Sequence, residues 1–482
     1  MVRTVVLGTG ISGLAVARYL LSLGRNVVVS DRRTASEVEA SPLWEEFSSL
    51  EKVHEGKLSW AFDGHPESLL ENCQEVVVSP GVSLHIPFLQ AALSRGVRIT
   101  GEIELAYTAC PKPVVAVTGT NGKSTTCSLL GLMFAECGIV GGNIGIPLLD
   151  QVQDLPSSVE WVVAEVSSFQ METVHTFRPR IGVLTNITPD HLDHHKDLSE
   201  YRVAKSRMFA QMGFRDTAVF CWDDVQAKEI MAEVAEGRLP EWIDGFPKPA
   251  GNGAPTILAY SVKEAVPCGV GFTFDREGRR WVSRFENGQA TQLFVWDFPG
   301  LPGPAMMSNG LAAVAAGLSA GLSLQKIQDG LRRFQPLRYR MELAGVVDGI
   351  SYINDSKATN IDSALAAANA VSGPLAVIVG GKDKGVDYSS LAEGLAKRGG
   401  RVFLIGEAAT PIGASLGTLG FTNLEVSGTL GRAVEDATRY LNEGGTVLLA
   451  PACSSFDQFK SAEQRGEIFN EMVAELKKTR SS

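Results

Sequence analysis

The sequence lacks the features of secreted, membrane-spanning and disulfide-stabilised proteins. Its seven cysteines are scattered, and no two of them form a CxxC pair or a metal-binding spacing, which favours a reducing compartment. No apolar run reaches the ~18 residues of a membrane span, and the start has no signal-peptide layout. We therefore expect a cytoplasmic protein without a membrane span.

Positive charge is also in short supply. The formal net charge is −10, which argues against a nucleic-acid partner, because binding a polyphosphate backbone needs an excess of lysine and arginine. The 44% hydrophobic and 20% charged residues are typical of a folded globular chain. A length of 482 residues predicts two to four domains at the usual ~100–200 residues each. We expect a monomer.

Short apolar runs that end in Gly, Ser or Asn and lead into helical patterns recur along the chain. Continuous apolar strands that alternate with helices predict an α/β fold whose parallel sheets are covered on both faces. The predicted strands are Thr4–Leu7, Asn26–Ser30, Val76–Ser79, Val114–Val117, Trp161–Val166, Ile181–Ile187, Ala376–Val379, Val402–Ile405 and Val447–Ala450.

Two breaks divide the chain into three predicted domains. The linker Cys110–Pro113 contains two prolines, which are incompatible with a helix, and a second break lies at Gln335–Leu337 after the helical stretch Asn309–Phe334. We therefore predict domains at residues 1–110, 111–336 and 337–482. Between Pro240 and Pro304 the chain is rich in Gly, Pro and aromatic residues, and we interpret it as hairpins and loops added to the central sheet.

The clearest motif begins with the predicted strand Val114–Val117 and continues as Thr-Gly-Thr-Asn-Gly-Lys-Ser-Thr, residues 118–125, before a helix. Such a turn binds phosphate through backbone N–H groups and the helix N-terminus, while Lys123 reaches the outer phosphates and a hydroxyl group joins Mg²⁺. Val117 replaces the first glycine of the usual P-loop pattern. An ordinary Gly-rich turn between a strand and a helix is the alternative.

Two further groups of ionisable residues follow predicted strands. Glu165 lies within an apolar strand, where a carboxylate is costly unless it is paired, bound to a metal or able to reach solvent. The loop after Ile181–Ile187 carries three histidines together with Asp190 and Asp193. Because sites form at the carboxyl ends of parallel strands, this loop and Glu165 are candidates for a site near Lys123. For any single histidine a surface role is the alternative.

Lys205 lies on an apolar helical stripe with Tyr201, Ala204, Met208 and Met212. A lysine on such a face either extends its ammonium group to solvent or is neutral and chemically used. Periodicity does not decide between these two alternatives.

The N-terminal turn Gly8–Gly13 follows a strand and opens a helix, and Asp31 ends the next strand. This is the dinucleotide-binding fingerprint, but the same geometry accommodates any nucleotide diphosphate. It leaves both an NAD site and a nucleotide-sugar site open.

The last third of the chain has three polar loops directly after strands. They are residues 354–360 (Asn-Asp-Ser-Lys-Ala-Thr-Asn), 380–385 (Gly-Gly-Lys-Asp-Lys-Gly) and 451–457 (Pro-Ala-Cys-Ser-Ser-Phe-Asp). Together they indicate a substrate-binding face, although each alone is also compatible with a helix cap.

These motifs together resemble the Mur ligase family of bacterial cell-wall synthesis, over nearly the whole chain. The segments 119–125 and 186–195 are similar to those shared by Mur and folylpolyglutamate-type ligases. Residues 79–81, 141–145, 354–360 and 451–466 are similar to the branch that adds D-glutamate to UDP-N-acetylmuramoyl-L-alanine. Ala462 stands where that branch has an aromatic residue.

The resemblance implies a Rossmann-like N-terminal domain, a central P-loop domain with a parallel mononucleotide-binding sheet, and a Rossmann-like C-terminal domain. It implies an ATP-dependent amide ligase that acts through an acyl phosphate, with two Mg²⁺ ions and a carbamate formed on Lys205 from CO₂. Only a neutral amine reacts with CO₂, and burial lowers the pKa of a lysine.

The implied site residues fall into groups. ATP would be bound by Gly119, Thr120, Asn121, Gly122, Lys123, Ser124, Thr125, Asn309, Arg340 and Asp355. The UDP substrate would be bound by Gly10, Ile11, Ser12, Asp31, Arg33, Gly81 and Asn143, and D-glutamate by Lys357, Thr359 and Ser455. The metal ligands would be Ser124, Glu165, His191 and carbamylated Lys205. The catalytic set would be Lys123, Glu165, His191, Lys205 and Lys357.

Three other functions are compatible with parts of the sequence. Another amide ligase of the same fold would use a different amino acid. An NAD-linked oxidoreductase would use Gly8–Gly13 but leaves residues 119–125 and 354–360 unexplained. A non-catalytic nucleotide-dependent scaffold would not need the ionisable set of residues.

Overall fold

The computed structural model describes residues 2–143, 145–191, 194–238, 253–441 and 444–480, which form two compact units. The first unit contains the described residues up to Ile187 together with Ser199–Phe334, and the second contains Thr188–Leu198 and those from Gln335 onward. Leu192 and Asp193 of the polar loop, Ile144, and the predicted hairpin region before residue 253 lie outside the described residues.

The first unit begins with a five-stranded parallel sheet in the order β3-β2-β1-β4-β5. Its strands are β1 (Arg3–Leu7), β2 (Asn26–Ser30), β3 (Leu58–Ala61), β4 (Cys73–Val78) and β5 (Arg98–Gly101). Its helices are α1 (Ile11–Ser22), α2 (Ala35–Glu39), α3 (Trp44–Val53), α4 (Pro87–Ser94) and α5 (Glu102–Ala109). The strands are apolar because both faces are covered, as Val5, Val29 and Val76 show with at most 1% of their surface exposed.

A nine-stranded sheet in the order β14-β13-β12-β11-β10-β9-β6-β8-β7 completes the first unit. Its strands are β6 (Val114–Thr118), β7 (Gly138–Gly142), β8 (Trp161–Glu165), β9 (Ile181–Leu184), β10 (Thr217–Cys221), β11 (Thr256–Ser261), β12 (Gly269–Phe274), β13 (Arg280–Glu286) and β14 (Gln289–Val295). The helices are α6 (Lys123–Met133), α7 (Leu148–Val152), α8 (Ser168–Met171), α9 (Leu198–Ser206), α10 (Val225–Ala235), α11 (Gly303–Ser319) and α12 (Leu324–Arg333).

This central sheet is mixed, so the prediction of a parallel central sheet is wrong in that respect. The seven neighbouring strands from β12 to β7 in this order, which include β6, are parallel. Strand β13 pairs antiparallel with both β12 and β14. The antiparallel part confirms the expectation of added hairpins in its described portion. The predicted helical stretch 309–334 is helical and is divided between α11 and α12, because Gly321 has a left-handed φ of +79° that ends α11.

The second unit is built on a six-stranded sheet in the order β15-β16-β20-β17-β18-β19. Its strands are β15 (Glu342–Val347), β16 (Ile350–Asn354), β17 (Leu375–Gly380), β18 (Arg401–Ile405), β19 (Leu424–Gly428) and β20 (Gly445–Leu449). The helices are α13 (Ile361–Ala370), α14 (Ser389–Arg398), α15 (Ala409–Thr418), α16 (Leu430–Leu441) and α17 (Ala462–Arg480). Only β15 is antiparallel to its neighbour.

Two buried glutamates of α5 bind backbone groups beside the central sheet. Glu102 accepts a hydrogen bond from the backbone N–H of Leu149 at 2.7 Å, near the start of α7. Glu104 is fully buried and accepts from the backbone N–H groups of His175, Thr176 and Phe177 at 2.8–3.1 Å. These bonds join α5, which follows the last strand of the five-stranded sheet, to two connections between strands of the central sheet. No helix in the described ranges is long and apolar enough to cross a membrane.

Candidate active site

The phosphate-binding turn predicted from the sequence lies between β6 and α6. Gly122 is the residue before α6 and has φ +90°, a conformation that favours glycine. A Cβ atom at this position would overlap the side-chain amide of Asn309, which lies against the turn. The residue before α6 is a glycine and offers no side chain as a cap, so the N–H groups at Lys123, Ser124 and Thr125 form a helix N-terminus suited to an anion.

Residues directly after β9 hold this turn in place. The backbone oxygen and side-chain oxygen of Asn186 accept hydrogen bonds from the backbone N–H groups of Thr120 and Asn121, both at 2.9 Å. Thr185 donates its hydroxyl to the carbonyl of Asn121 at 2.6 Å. Thr185 and Asn186 are absent from the predicted set of site residues, although their position at the end of a strand adjacent to β6 is a signal that could have indicated a role.

Two lysine side chains meet at the carbonyl oxygen of Gly119. The Nζ atom of Lys123 donates to this oxygen at 2.8 Å and to the carbonyl of Thr120 at 2.8 Å. Lys205 Nζ donates to the same Gly119 oxygen at 2.9 Å and lies 4.4 Å from the ring centre of Tyr201. Lys205 is 1% exposed, so the alternative in which its ammonium group extends to solvent is wrong.

Glu165 ends strand β8, beside Val117 of β6, and only 3% of its surface is exposed. Its Oε1 atom accepts a hydrogen bond from the side-chain amide of Asn143 at 3.0 Å. Its Oε2 atom is buried and has no hydrogen-bond partner among the described residues. The alternative of a glutamate that reaches solvent is therefore wrong. Carboxylate oxygens are ligands that Mg²⁺ prefers, so the Oε2 atom of Glu165 is a suitable candidate ligand for this ion.

The N-terminal turn is organised by Asp31. Its carboxylate accepts hydrogen bonds from the backbone N–H and hydroxyl of Thr9 at 3.0 and 2.6 Å, and from the Arg33 guanidinium at 3.0–3.1 Å. Burial raises the pKa of Asp31, but these donors outweigh burial and hold the pKa well below its ordinary value. Asp31 thus acts within the turn, and Thr9 is a contributor that the predicted set of site residues omitted.

The other predicted residues of this region surround the same turn. Gly10, Ile11 and Ser12 lie at the start of α1, where the N-cap residue Gly10 offers no side chain as a cap, and Ile11 is 56% exposed. Gly81 has φ +89° in the loop after β4. The buried hydroxyl of Ser79, in the same loop, has no hydrogen-bond partner in the described part of the chain. An uncapped helix start and an unpaired hydroxyl suit a phosphate-containing ligand.

In the second unit, the three predicted loops all follow strand ends of one sheet. Asp355, directly after β16, accepts a hydrogen bond from the backbone N–H of Met341 at 3.3 Å. Its burial raises its pKa to about 6, against the opposing charge of Arg340. Lys357 forms an ion pair with Glu463 in the first turn of α17. Ser455, after β20, is 2% exposed, and its hydroxyl has no partner within the described ranges.

Asp190 and His191 belong to this second unit. Lys384 Nζ donates to Asp190 Oδ1 at 2.9 Å and to the carbonyl of Thr359 at 3.1 Å, and Asn360 donates to Asp190 Oδ2 at 3.1 Å. Burial raises the pKa of Asp190, but the charges of His191 and Lys384 lower it to about 2. Lys384 is thus a site candidate that the predicted set omitted, although its loop was recognised as polar.

The phosphate-binding turn on a mixed α/β sheet places the chain in the class of P-loop nucleotide-binding enzymes. Comparison with known proteins is more specific. Residues 2–101 match the Mur ligase MurD-like, N-terminal domain, residues 117–317 match the Mur ligase middle domain, and residues 339–453 match the Mur ligase, glutamate ligase domain.

Similar proteins extend over the whole chain. The UDP-N-acetylmuramoylalanine–D-glutamate ligase of Pelotomaculum thermopropionicum is 38% identical, over 99% of this chain and 98% of that protein. The ligase of the same name from Desulfitobacterium hafniense is 36% identical, over 98% and 97%. The chain belongs to the Mur ligase family.

Solved structures agree at the level of the fold. The UDP-N-acetylmuramate-alanine ligase of Thermotoga maritima aligns with a TM-score of 0.56 at 18% identity, over 98% of this chain and 100% of that one. A pseudomurein peptide ligase type C from Methanothermus fervidus aligns with a TM-score of 0.54 at 18% identity, over the same shares of the two chains.

Proposed function

We propose that this Mur ligase uses ATP to join D-glutamate to UDP-N-acetylmuramoyl-L-alanine, through an acyl phosphate, in peptidoglycan precursor synthesis. The observation that carries the chemical part is the buried Oε2 atom of Glu165, which has no hydrogen-bond partner in the described part of the chain and belongs to the last residue of β8, beside the strand that leads into the phosphate-binding turn. The choice of amino acid is supported by the names of relatives that match over their full length. The protein would serve cell-wall biogenesis, and through it cell shape, the cell cycle and cell division.

The chemistry follows from the poor reactivity of a carboxylate. A carboxylate repels nucleophiles, and an oxide ion does not leave. In the proposed reaction the substrate carboxylate attacks the γ-phosphorus of ATP, ADP departs, and an acyl phosphate forms. The ammonium group of D-glutamate loses a proton, the resulting amine attacks the acyl carbon, the C–O bond to phosphate breaks, and the nitrogen loses a second proton, so that the amide keeps one N–H.

Residues of the first unit are assigned to the phosphoryl transfer. We assign Gly119–Thr125 and Asn309 to ATP, with Lys123 neutralising charge on the outer phosphates. Ser124, Glu165 and Lys205 are assigned to two Mg²⁺ ions, and His191 keeps the metal-binding role that the resemblance gives it. When bound, Mg²⁺ stabilises the negative charge of the transferring group.

We further propose that Lys205 carries a carbamate. The neutral amine would attack CO₂, forming an N–C bond and releasing a proton. Two observations support this step: Lys205 is 1% exposed, and its ammonium group shares one carbonyl oxygen with that of Lys123. Carbamylation would replace one of these two like charges with an anion suited to a metal ion.

Substrate binding is assigned to the remaining loops. Gly10–Ser12, Asp31, Arg33 and Gly81 would bind the UDP group, and Asn143 would contact the muramoyl group. Lys357, Thr359 and Ser455 would bind D-glutamate, with Arg340 and Asp355 contributing to the ATP site. We keep the domain boundaries at 110/111 and 336/337. Because ATP is the phosphoryl donor, we propose a cytoplasmic location, and the monomeric state stays a prediction for light scattering.

An amino-acid panel tests the proposed function. Phosphate release is measured with ATP, UDP-N-acetylmuramoyl-L-alanine and either D-glutamate, L-glutamate, L-lysine or diaminopimelate, with Lys123→Ala as the inactive control. We expect release with D-glutamate alone. Activity with L-lysine and none with D-glutamate would assign the protein to another branch of the family. Reduction of NAD by the same sample would instead favour the oxidoreductase hypothesis.

A further inference from the structure

Arg465 is a fully buried cation of the second unit, with 0% of its surface exposed. It lies on α17, and its guanidinium reaches loops that follow two different strands. Its Nε atom donates to Ser356 Oγ at 3.0 Å, and its Nη2 atom donates to the carbonyls of Ser356 and Cys453 at 2.9 and 3.1 Å. A longer bond of 3.4 Å joins Nη1 to the carbonyl of Ser454.

These acceptors are neutral oxygen atoms, not carboxylates. Burial lowers the pKa of Arg465 to about 10, so the side chain remains charged at neutral pH. A buried charge bound only to neutral groups is an expensive way to join two loops, since a hydrophobic side chain of similar volume often gives equal or better stability. A guanidinium group does something that a hydrophobic side chain does not: its planar donors fix the directions of several carbonyls at once. It thereby determines the conformation of the loops that carry them.

The loops joined in this way need external support. Ala452, between β20 and Cys453, has φ +59°, which is strained for a residue with a side chain, and its N–H donates to the carbonyl of Ala358 at 2.9 Å. The third loop is attached to the same place, since Lys382 donates its N–H to the carbonyl of Ser454 at 2.9 Å. Ser356 Oγ in turn donates to the carbonyl of Ala462 at 2.7 Å.

We propose that Arg465 is a positioning residue for the amino-acid substrate, and this inference rests on the proposed function. Lys357 and Thr359 lie one and three residues beyond Ser356, and Ser455 directly follows Ser454. The guanidinium therefore sets the backbone from which all three proposed D-glutamate ligands project. Arg465 itself contacts loop atoms and leaves substrate contact to the residues it positions.

The chain offers a matched control in Arg398, at the end of α14. Its guanidinium also bonds three backbone carbonyls, those of Ala368, Val371 and Gly373, at 2.6–3.1 Å. These carbonyls precede β17, whereas the proposed ligands follow strand ends. Because the strands are parallel, Arg398 acts at the opposite edge of the sheet. It shares the bonding pattern of Arg465 but supports no proposed substrate residue.

The test compares Arg465→Lys with Arg398→Lys in the full-length protein. The KM values for D-glutamate, ATP and UDP-N-acetylmuramoyl-L-alanine are measured separately, together with the thermal midpoint. We expect Arg465→Lys to raise the KM for D-glutamate about tenfold or more, since misplacing a binding group by ~1 Å can cost about 100-fold. The other two KM values should stay within about twofold, and Arg398→Lys should change none of the three.

Other outcomes would overturn the proposal. Equal rises in all three KM values, or loss of active protein with unchanged KM values, would make Arg465 purely structural. If Arg465→Lys does not fold, Ser356→Ala decides, because it keeps the guanidinium and its backbone acceptors and removes only the two bonds of one hydroxyl, from Arg465 Nε and to the Ala462 carbonyl. A selective rise in the KM for D-glutamate would support the inference, and no rise would contradict it.

The proposed function and the inference fail differently. If the wild-type protein does not use D-glutamate, the proposed function is wrong, and the same KM comparison is made with the amino acid that it does use. A selective rise in that KM in Arg465→Lys would still support a positioning role, and its absence would contradict the role.

Discussion

Two buried glutamates of the first unit are predicted to respond in opposite ways to the same substitution. Glu104 has both carboxylate oxygens occupied: Oε1 accepts from the Thr176 N–H and hydroxyl at 2.8 and 2.6 Å and, at 3.5 Å, from Arg98, and Oε2 accepts from His175 and Phe177 at 3.1 Å. Glu165 has an occupied Oε1, and its Oε2 has no hydrogen-bond partner among the described residues. Replacement by glutamine keeps the shape of each side chain and removes its charge.

The magnitude follows from the number of donors that lose their acceptor. An amide nitrogen at Oε2 of Glu104 leaves two backbone N–H donors facing another donor, whereas at Oε1 the Thr176 hydroxyl can rotate to accept and the Thr176 N–H loses its acceptor. Each unsatisfied buried group costs about 1–3 kcal/mol, so Glu104→Gln should destabilise the protein by at least about 1–3 kcal/mol. At Glu165 the amide nitrogen can take the unpaired position, so no hydrogen bond is lost and the cost of burying a charge disappears. We expect Glu165→Gln to be neutral or stabilising.

The assay combines calorimetry with hydrogen exchange. For Glu104→Gln we expect the thermal midpoint to fall by at least about 2 °C, at ~2 °C per kcal/mol. Exchange of the amides of residues 175–177 should be faster, whereas Glu165→Gln should preserve both properties and lose activity. A midpoint within about 1 °C of the wild type and unchanged protection in Glu104→Gln would refute the reasoning, because the assigned bonds would then contribute almost nothing.

Three further predictions concern ionisable side chains. Lys123→Ala should reduce ATP turnover by about 100-fold or more, as for other groups that stabilise transition-state charge, while calorimetry shows unchanged binding of the UDP substrate. Lys205→Ala should be inactive but partly restored by bicarbonate or a short carboxylate; no rescue, or equal rescue of Lys123→Ala, would contradict the carbamate. Burial raises the pKa of Glu102 to about 7 from its ordinary 4.5, so the folded state binds one more proton than the unfolded state between these values. The free energy of unfolding should therefore fall as pH rises across that window. Glu102→Gln should flatten this dependence, and an unchanged slope in thermal midpoints between pH 4.5 and 7 would assign it to another group.

Much of the architecture could be predicted from local pattern. All nine predicted strands overlap observed ones, because a parallel strand covered on both faces is a continuous apolar run. Hairpins were expected in the region of β13, but which strand begins the antiparallel part could not be predicted, since direction depends on pairing partners that the sequence does not specify. The break at Gly321 was present in the sequence as a glycine, but one glycine is tolerated within many helices.

Site residues could be predicted from the sequence where they belong to a motif of known chemistry. The turn 119–125 followed from the spacing of its residues. Periodicity placed Lys205 on an apolar stripe but did not decide whether its ammonium group is buried, which the structure shows. Thr9, Asn186 and Lys384 did not, because each acts through a hydrogen bond to a residue distant in the sequence. Arg465 belongs to the same group, since its charge alone predicts an exposed residue. Such partners become visible only when the loops are brought together in space.

The distinction between Glu104 and Glu165 also could not be made from the sequence. Both are glutamates in apolar surroundings, and both are buried. What separates them is whether their acceptor positions are filled by the protein itself. A buried carboxylate oxygen without a hydrogen-bond partner lowers the stability of a protein, because no bond compensates the cost of removing that oxygen from water. The unpaired hydroxyl of Ser455 in the second unit has the same property. Some buried polar atoms of the predicted site residues have no hydrogen-bond partner among the described residues. We therefore expect bound ligands to supply the missing bonds at these atoms.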